Sequence, residues 1–555
     1  MNVQDYDEVP AFLGEWGPFQ KSVFFLLSLT IIPNGYAGLV MVFLADTPQH
    51  SCRLPNSTDV TTGGTVNLSL RLPVEEVDGE RVYSKCARFK THVGDGLNGT
   101  TRETEPCADG WEYSTDRYTS TIVSEWNLVC DDNWKGPFTV SVFFMGMLCG
   151  SLISGLLSDR YGRKIILFVS MALQTVFSLI LVSSQSWAMF SILFFIIGFV
   201  QISKYIVMFI LGSELLGKTV RIAYGTLGVC LFFALGSVVL PIFAYFIRDW
   251  RMLLLALSLP QILYMPLWWF IPESPRWLLS QGRVEEAEVI VQAAAKRNGI
   301  KHTAVIFENR SDQECMLPTG DKHAHTYLDL VRTSNLRNIT IIAMFVWIIS
   351  SVGYFGLSFS IPNMHGDPYI NCFISAATEI VSYVIAWILL RTSPRRISLA
   401  CIVVFSGVLL LLIQIVPSDH HVLITIMTMI SKFGYAAAFS MIFVFSAELY
   451  PTVVRNMGFG VCSMASRIGS IISPYFAYLE TYNKVLPFIL MGSLSVMAGI
   501  FCLVLPETFG QPLPQTIQQV QPMIWWTTKR NDIIAVAEKD KKVENEHLNS
   551  QIDAV

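Results

Sequence analysis

Asp159-Arg160-Tyr161-Gly162-Arg163-Lys164 packs four charges around one glycine between two apolar runs. A related basic loop, Pro394-Arg395-Arg396, returns about 235 residues later. At almost the same offset Ser213-Glu214-Leu215, with Lys218 to Arg221, returns as Ala447-Glu448-Leu449, with Thr452 to Arg455. Ile271-Pro272-Glu273-Ser274 likewise returns as Leu505-Pro506-Glu507-Thr508. A chain that repeats its loop signatures once, at a near-constant offset, consists of two homologous halves.

Working outward from these loops, the segments between them have the length and composition of membrane spans. The 555 residues are 52% apolar and only 15% charged, against about 25% charged in an average soluble domain. Apolar runs of about 20 residues, enough to cross the hydrocarbon as helix, occur twelve times: Ser22–Leu44, Phe138–Leu157, Ile165–Val182, Ala188–Leu211, Ile222–Ile247, Met252–Ile271, Ile339–Ile361, Phe373–Leu390, Ile397–Val416, Val422–Phe445, Gly458–Leu479 and Val485–Leu505. The first lies too far in, with no small-residue cleavage site, to be a signal peptide. The expected fold class is an all-α membrane protein of twelve transmembrane helices in two six-helix pseudo-repeats. Two such halves are the usual architecture of a secondary transporter, with the substrate site between them.

Sidedness follows from charge. Arg160, Arg163, Lys164, Lys218, Arg221, Arg391, Arg395, Arg396 and Arg455 all fall in alternate short connections, which the positive-inside rule places in the cytoplasm. The expected organisation is a cytoplasmic N-terminus (1–21), a first half (22–271), a cytoplasmic linker with amphipathic helices (272–338), a second half (339–505) and a cytoplasmic tail (506–555). Residues 45–137 form an extracellular loop. It carries sequons at Asn56, Asn67 and Asn98 and four of the eleven cysteines: Cys52, Cys86, Cys107 and Cys130. An even set outside the membrane reads as two disulfides, with three pairings open. The glycosylated loop points to the plasma membrane. The C-terminal Asp553-Ala554-Val555 offers a strand for a PDZ-type groove.

The charges inside the runs carry the most information, because each costs at least about 2.5–3.5 kcal/mol in hydrocarbon and must face a partner or an aqueous cavity. They are Lys204, Glu379, Lys432 and Arg467. Three cations against one carboxylate leave positive charge to receive an anionic group. Tyr205, beside Lys204, and Tyr354, beside Gly353, offer aromatic faces to an ammonium. In the loops, Asp159, Arg160, Arg163, Glu214, Arg221 and Arg455 are candidates for a gate that latches the cytoplasmic face. Gly212 to Thr219 spells GxxxxGKT, with Gly212, Gly217, Lys218 and Thr219 at the positions of a P-loop. That motif needs a strand before it and a helix after it, whereas here it joins two spans, so gate contacts are the expected role.

These residues together resemble the major facilitator superfamily. Asp-Arg-Tyr-Gly-Arg-Lys, Pro272 to Leu278 (PESPRWL) and Ala447 to Gly458 (AELYPTVVRNMG) are similar to the organic ion transporters within it. Residues 5–20, 31–35, 125–130, 246–257, 362–367 and 466–476 resemble, more narrowly, the organic cation/carnitine transporters. The resemblance implies sodium-coupled or facilitated uptake of carnitine, related betaines and organic cations. It assigns Arg467 to the substrate carboxylate and links Asn34 and Glu448 to sodium coupling. The chain departs from that pattern at Lys204, where the subgroup has asparagine. An ammonium cannot ligate sodium, so weak or absent sodium dependence is expected. Phe443 and Phe445 stand where relatives often carry tyrosine.

The expected function is alternating-access transport of carnitine-like zwitterions or organic cations. Arg467, with Lys204 or Lys432, holds the carboxylate, while Tyr205, Tyr354 and Phe443 form the wall. The rival readings are an organic anion exchanger, a non-transporting receptor or scaffold on the same fold, and, from the P-loop match alone, an ATP-regulated protein. No metal-ligand cluster, catalytic constellation, nucleic-acid signature or cofactor beyond a coupling sodium is indicated; the partners expected are a small substrate and the lipid bilayer.

Overall fold

A computed structural model describes residues 12–14, 16–53, 72–77, 80–90, 104–300, 327–417, 419–451, 453–511, 514, 517–521 and 523. The sequons at Asn56, Asn67 and Asn98, the first eleven residues and the C-terminal Asp553-Ala554-Val555 lie outside that set.

Among the described residues twelve long helical segments follow the twelve apolar runs. They are α1 (Pro18–Leu44), α2 (Lys135–Tyr161), α3 (Arg163–Val182), α4 (Trp187–Leu215), α5 (Tyr224–Phe246) and α6 (Trp250–Trp269), then α7 (Ser334–Ser360), α8 (Pro368–Thr392), α9 (Arg395–Leu412), α10 (His421–Leu449), α11 (Arg455–Leu479) and α12 (Leu486–Cys502). Ten of the twelve are long and apolar enough to cross a membrane by length and composition; α12, at 17 residues, is shorter, and α11 carries more polar groups. Several helices, among them α2, α4 and α10, overrun their apolar runs, because backbone hydrogen bonding continues into charged residues. Thus Asp159, Arg160 and Tyr161 are the last turn of α2 rather than part of a turn, and the reversal is made by Gly162 alone, at φ 105°. A Cβ there would also lie 2.7 Å from Glu273 Oε2.

Three helices are irregular where the sequence says they must be. In α1 the ladder breaks before Ile32, because Pro33 has no N–H to donate. The first eight residues of α5, Tyr224–Leu231, wind as a π-helix, a form that recurs at functional sites. The second half of α6, Leu259–Trp269, holds Pro260 and Pro266 and tightens to a 3₁₀-helix. Glycines set the close approaches: a Cβ on Gly35 of α1 would lie 2.1 Å from the Phe233 carbonyl, and one on Gly236 of α5 would lie 2.1 Å from the Ile32 carbonyl.

The two halves repeat one capping device. Glu273 accepts the backbone N–H groups of Arg163 (3.1 Å) and Lys164 at the start of α3. Glu507 accepts those of Arg395 (2.9 Å) and Arg396 at the start of α9. A carboxylate at a helix N-terminus fills orphan donors and complements the dipole. Burial pushes the Glu273 carboxyl above its ordinary value, and the N–H groups of Ser274, Lys164 and Arg163 oppose that. The linker contributes an amphipathic helix, Val284–Arg297, with Glu285 and Glu286 in its first turn and Lys296 and Arg297 in its last. Asn298 then bolts it to the first half, accepting from Phe19 N–H and donating to Leu13 O and Gln20 Oε1.

At the opposite end the long loop is tied by Cys52–Cys107 and Cys86–Cys130, which selects one of the three pairings. Three two-stranded antiparallel pairs build it, including His50–Cys52 with Trp111–Tyr113. A capped turn, Ile122–Trp126, anchors it to α6: Glu125 accepts from Trp250 Nε1 at 2.7 Å and pairs with Arg251.

Candidate functional site

The halves meet chiefly along α2 with α11 and α5 with α8. The side-chain contacts that cross this seam cluster at the disulfide end. Tyr369 of α8 stacks on Phe43 of α1 with centroids 5.5 Å apart, meets Tyr245 of α5 edge-on, and donates to the Arg117 carbonyl. Phe144 of α2 packs on Phe355 of α7, and Ser141 donates to the Ile471 carbonyl at 2.7 Å. This form is therefore closed at the disulfide end.

At the basic end the gate candidates Arg163, Asp159 and Glu214 come together. Arg163 reaches Asp159 at 2.7 Å and Glu214 at 3.3 Å, all within the first half. In the second half Glu448 pairs with Arg395. The ion pairs seen here brace each half internally instead of bolting one half to the other. Arg160 lies over the Tyr161 ring, and Arg455 donates to the Tyr450 carbonyl. Arg221, at the start of the segment leading into α5, is half-buried. The symmetric partners are Arg163 with Glu214 and Arg395 with Glu448. Arg395 belonged among the gate residues, and the repeat of its loop was the signal for it.

The P-loop match does not form a phosphate cradle. Helix α4 runs through Gly212 to Leu215, where a phosphate loop needs a strand, and Gly217 is the short link into the helical turn Lys218–Ala223. Gly212 serves packing, since a Cβ on it would lie 2.4 Å from the Tyr224 ring. The side chains of Lys218 and Thr219 are outside the described set.

Inside the bundle, the four intramembrane charges sort into a pair and two singles. Lys432 Nζ of α10 lies 2.9 Å from Glu379 Oε1 of α8 and donates to Ser375 Oγ at 2.6 Å. Tyr354 of α7 donates to the other Glu379 oxygen at 3.0 Å, and the Lys432 ammonium sits 5.7 Å from the Tyr354 ring. Both members of the pair are almost fully enclosed. Glu379 therefore cancels Lys432, and the surplus positive charge belongs to Lys204 and Arg467. Lys204 is 2% exposed and Arg467 8% exposed. Neither makes an ion pair or hydrogen bond among the described residues, and Arg467 Nε is buried without an acceptor. Arg467 of α11 and Tyr205 of α4 lie within electrostatic reach of each other across the halves.

An aromatic wall lies in the second half. Trp347 meets Phe443 edge-on at 4.7 Å, Phe439 at 5.8 Å and Phe459 at 6.0 Å, and Tyr354 meets Phe439 at 5.8 Å. Trp347 is fixed by a 2.8 Å bond from Nε1 to Ser446 Oγ. Tyr354 and Phe443 were expected at the site, and Phe459 completes the wall from α11. In the first half, Gln201 Nε2 donates to the Asn34 carbonyl at 3.2 Å, while Asn34 Oδ1 and Gln201 Oε1 are buried without hydrogen bonds. Lys204 follows Gln201 by nearly one turn. Asn34 and Glu448, linked by resemblance to ion coupling, are not brought together: Asn34 sits at the α1 break, Glu448 at the basic end.

Comparison with known proteins agrees with this architecture. The family described as sugar (and other) transporter matches residues 105–519. Organic cation/carnitine transporter 2 of Homo sapiens is 54% identical over 532 residues, covering 93% of this chain and 94% of that protein. Solute carrier family 22 member 4 of Mus musculus is 52% identical over 550 residues, covering 96% and 98%. Among solved structures, the xylose transporter XylE from E. coli, in a partially occluded inward open conformation, aligns with a TM-score of 0.57 at 16% identity, over 89% of this chain and 100% of that one. The latter shows the major facilitator fold alone. The chain is a multi-pass membrane transporter that belongs to the sugar (and other) transporter family and, within it, to the organic cation/carnitine transporters.

Proposed function

We propose that this transporter carries carnitine-like zwitterions across the plasma membrane by alternating access, with the basic end and both termini in the cytoplasm. The observation that carries the reading is Arg467, buried and without an ion pair among the described residues once Lys432 is cancelled by Glu379. A buried guanidinium without a counter-charge is expensive, and a carboxylate ligand supplies that counter-charge with bidentate geometry. The wall of Trp347, Phe439, Phe443 and Tyr354 suits a trimethylammonium group. The relatives' names, organic cation/carnitine transporter among them, point the same way.

In this reading Lys204 stands in for a coupling ion. Asn34 Oδ1 and Gln201 Oε1 are orphan acceptors of the kind that ligate sodium, and Lys204 is a tethered cation nearly one turn from Gln201. Transport is then sodium-independent or weakly dependent. Loop glycosylation at Asn56, Asn67 and Asn98 and docking of the C-terminus to a PDZ-type protein belong to the same reading.

The test is radiolabelled carnitine uptake into cells expressing the chain, in sodium and in choline buffer. Equal uptake supports substrate and lysine assignments together. Uptake confined to sodium keeps the substrate and discards the role of Lys204. A second reading, organic anion exchange, is favoured by the two unpaired cations Lys204 and Arg467. Its signature is no carnitine uptake, with competition from anions that lack an ammonium.

A further inference from the structure

The disulfide-bonded loop is fastened to the first half. Its segment 116–126 runs along the α5–α6 connection: Arg248 Nη1 donates to the Asp116 carbonyl at 3.2 Å, Thr119 N–H to the Arg248 carbonyl at 3.0 Å and Trp250 N–H to the Ser120 carbonyl at 3.3 Å. Glu125 adds its bonds to Trp250 and Arg251. The strand His50–Cys52, which follows α1, pairs with Trp111–Tyr113. Asp46, just past α1, meets Arg117 and the Tyr118 hydroxyl. A segment tied to α1 and to the α5–α6 connection moves with them as one body.

Into this body the second half inserts Tyr369, in the first turn of α8, where Asp367 accepts its N–H at 2.8 Å. The ring is buried. Its centroid lies 5.5 Å from Phe43 of α1, 6.0 Å from Tyr118 of the loop and 5.7 Å from Tyr245 of α5. Its hydroxyl donates to the Arg117 carbonyl at 3.2 Å. Ring pairs of this kind add to the apolar area they bury, and the hydroxyl loses its acceptor if residue 117 moves away. A void of about 20 Å³ is lined by Phe43 and Ser237 of the first half and by Cys372, Ser375 and Lys432 of the second. That volume holds about one water. Cys372 follows Tyr369 by nearly one turn of α8, so the seam is pinched to the size of a water just inside the ring.

We infer that Tyr369 is the latch of the outer gate and that the disulfide-bonded loop, with Phe43 and Tyr245, is its socket. Outward opening parts α8 from α1 and α5, so Tyr369 must leave three rings and the Arg117 carbonyl in the same step. The loop is then a working part of the transport cycle. Its hold on the first half places the acceptor for the Tyr369 hydroxyl and so biases the chain towards the externally closed form. The inference rests on the proposed sidedness and on alternating access.

Cys372, a native thiol at the pinch, serves as the reporter. Intact cells expressing the full chain are labelled with a membrane-impermeant maleimide, with Cys372→Ser as baseline. Tyr369→Phe keeps the ring and drops the hydroxyl, and is expected to speed labelling about three-fold. Tyr369→Ala empties the socket and is expected to speed it about ten-fold or more. Arg248→Ala, which frees the Asp116 carbonyl, speeds labelling in the parent but adds little in the Tyr369→Phe chain, because both act through one bond. Surface biotinylation shows which variants reach the membrane; Tyr369→Phe serves if Tyr369→Ala does not. Equal labelling of the parent and the Tyr369 variants overturns the latch. An Arg248→Ala effect that adds in full to that of Tyr369→Phe overturns the loop as socket. Labelling of every chain only after permeabilisation overturns the sidedness and the external latch with it. Labelling as expected in a chain that takes up no carnitine sinks the proposed substrate and leaves the latch standing.

Discussion

The Lys432 ammonium lies 2.9 Å from the Glu379 carboxylate, with both side chains enclosed between α10 and α8. That contact divides the intramembrane charges into a structural pair and two cations with no partner among the described residues. Removing one member leaves the other buried and uncompensated, which costs about 3–5 kcal/mol. Glu379→Ala and Lys432→Ala are each expected to lose that much, and the double variant clearly less than their sum. Thermal unfolding of the purified protein in detergent, run as a double-mutant cycle, checks it; additive losses would show that the pair is not coupled.

Arg467 has no ion-pair or hydrogen-bond partner among the described residues, so its replacement should act on substrate. For Arg467→Ala the KM for carnitine is expected to rise about 30- to 100-fold, the worth of a charged hydrogen bond at about 2–3 kcal/mol. Transport of tetraethylammonium, which has no carboxylate, should change little. Equal damage to both substrates would place Arg467 in the scaffold instead.

Lys204→Asn restores an amide oxygen near Asn34 and Gln201. Uptake measured in matched sodium and choline buffers should acquire sodium dependence in this variant. Lys204→Met removes the cation without adding a ligand, so it should lose transport in both buffers. A Lys204→Asn chain as indifferent to sodium as the parent would refute the tethered-cation idea.

Glu480 caps the end of α11 beside Ser360, and burial pushes its carboxyl from the ordinary 4.5 up to about 7, the Ser360 hydroxyl opposing. Between those values the folded state binds more proton than the unfolded state. Stability from this group is therefore complete below about pH 4.5 and falls as pH rises towards 7, by at most about 3 kcal/mol. Melting temperatures at pH 5 and pH 8 should differ in that sense, and Glu480→Gln should flatten the difference. Unchanged slopes in the variant would assign the effect elsewhere.

At the α1–α5 crossing the backbone itself is the neighbour. Gly35→Ala puts a methyl 2.1 Å from the Phe233 carbonyl, which no rotamer relieves. The expected loss is about 1–3 kcal/mol, seen as reduced surface expression and a lower melting temperature. Gly155→Ala, where nothing lies within 4 Å, is the control and should be neutral.

Much of this molecule was legible because a bilayer enforces simple rules. Apolar runs of spanning length must be helical, since hydrocarbon satisfies no backbone group. Duplicated loop signatures then revealed the two halves. Even the capping carboxylates Glu273 and Glu507 stood in plain view as a repeat, though their bond to the first N–H groups of α3 and α9 is a contact between segments more than 100 residues apart.

What the chain alone determined was local or periodic: the twelve spans, the paired loops, the even cysteine set and the presence of buried charge at Lys204, Glu379, Lys432 and Arg467. Tertiary structure decided who meets whom. It paired Cys52 with Cys107, gave Glu448 to Arg395 and Glu214 to Arg163, and spent Lys432 on Glu379. The physical reason is that charge needs a partner within about 4 Å. Which side chains come that close depends on how helices far apart in sequence rotate and pack, information that no span carries by itself.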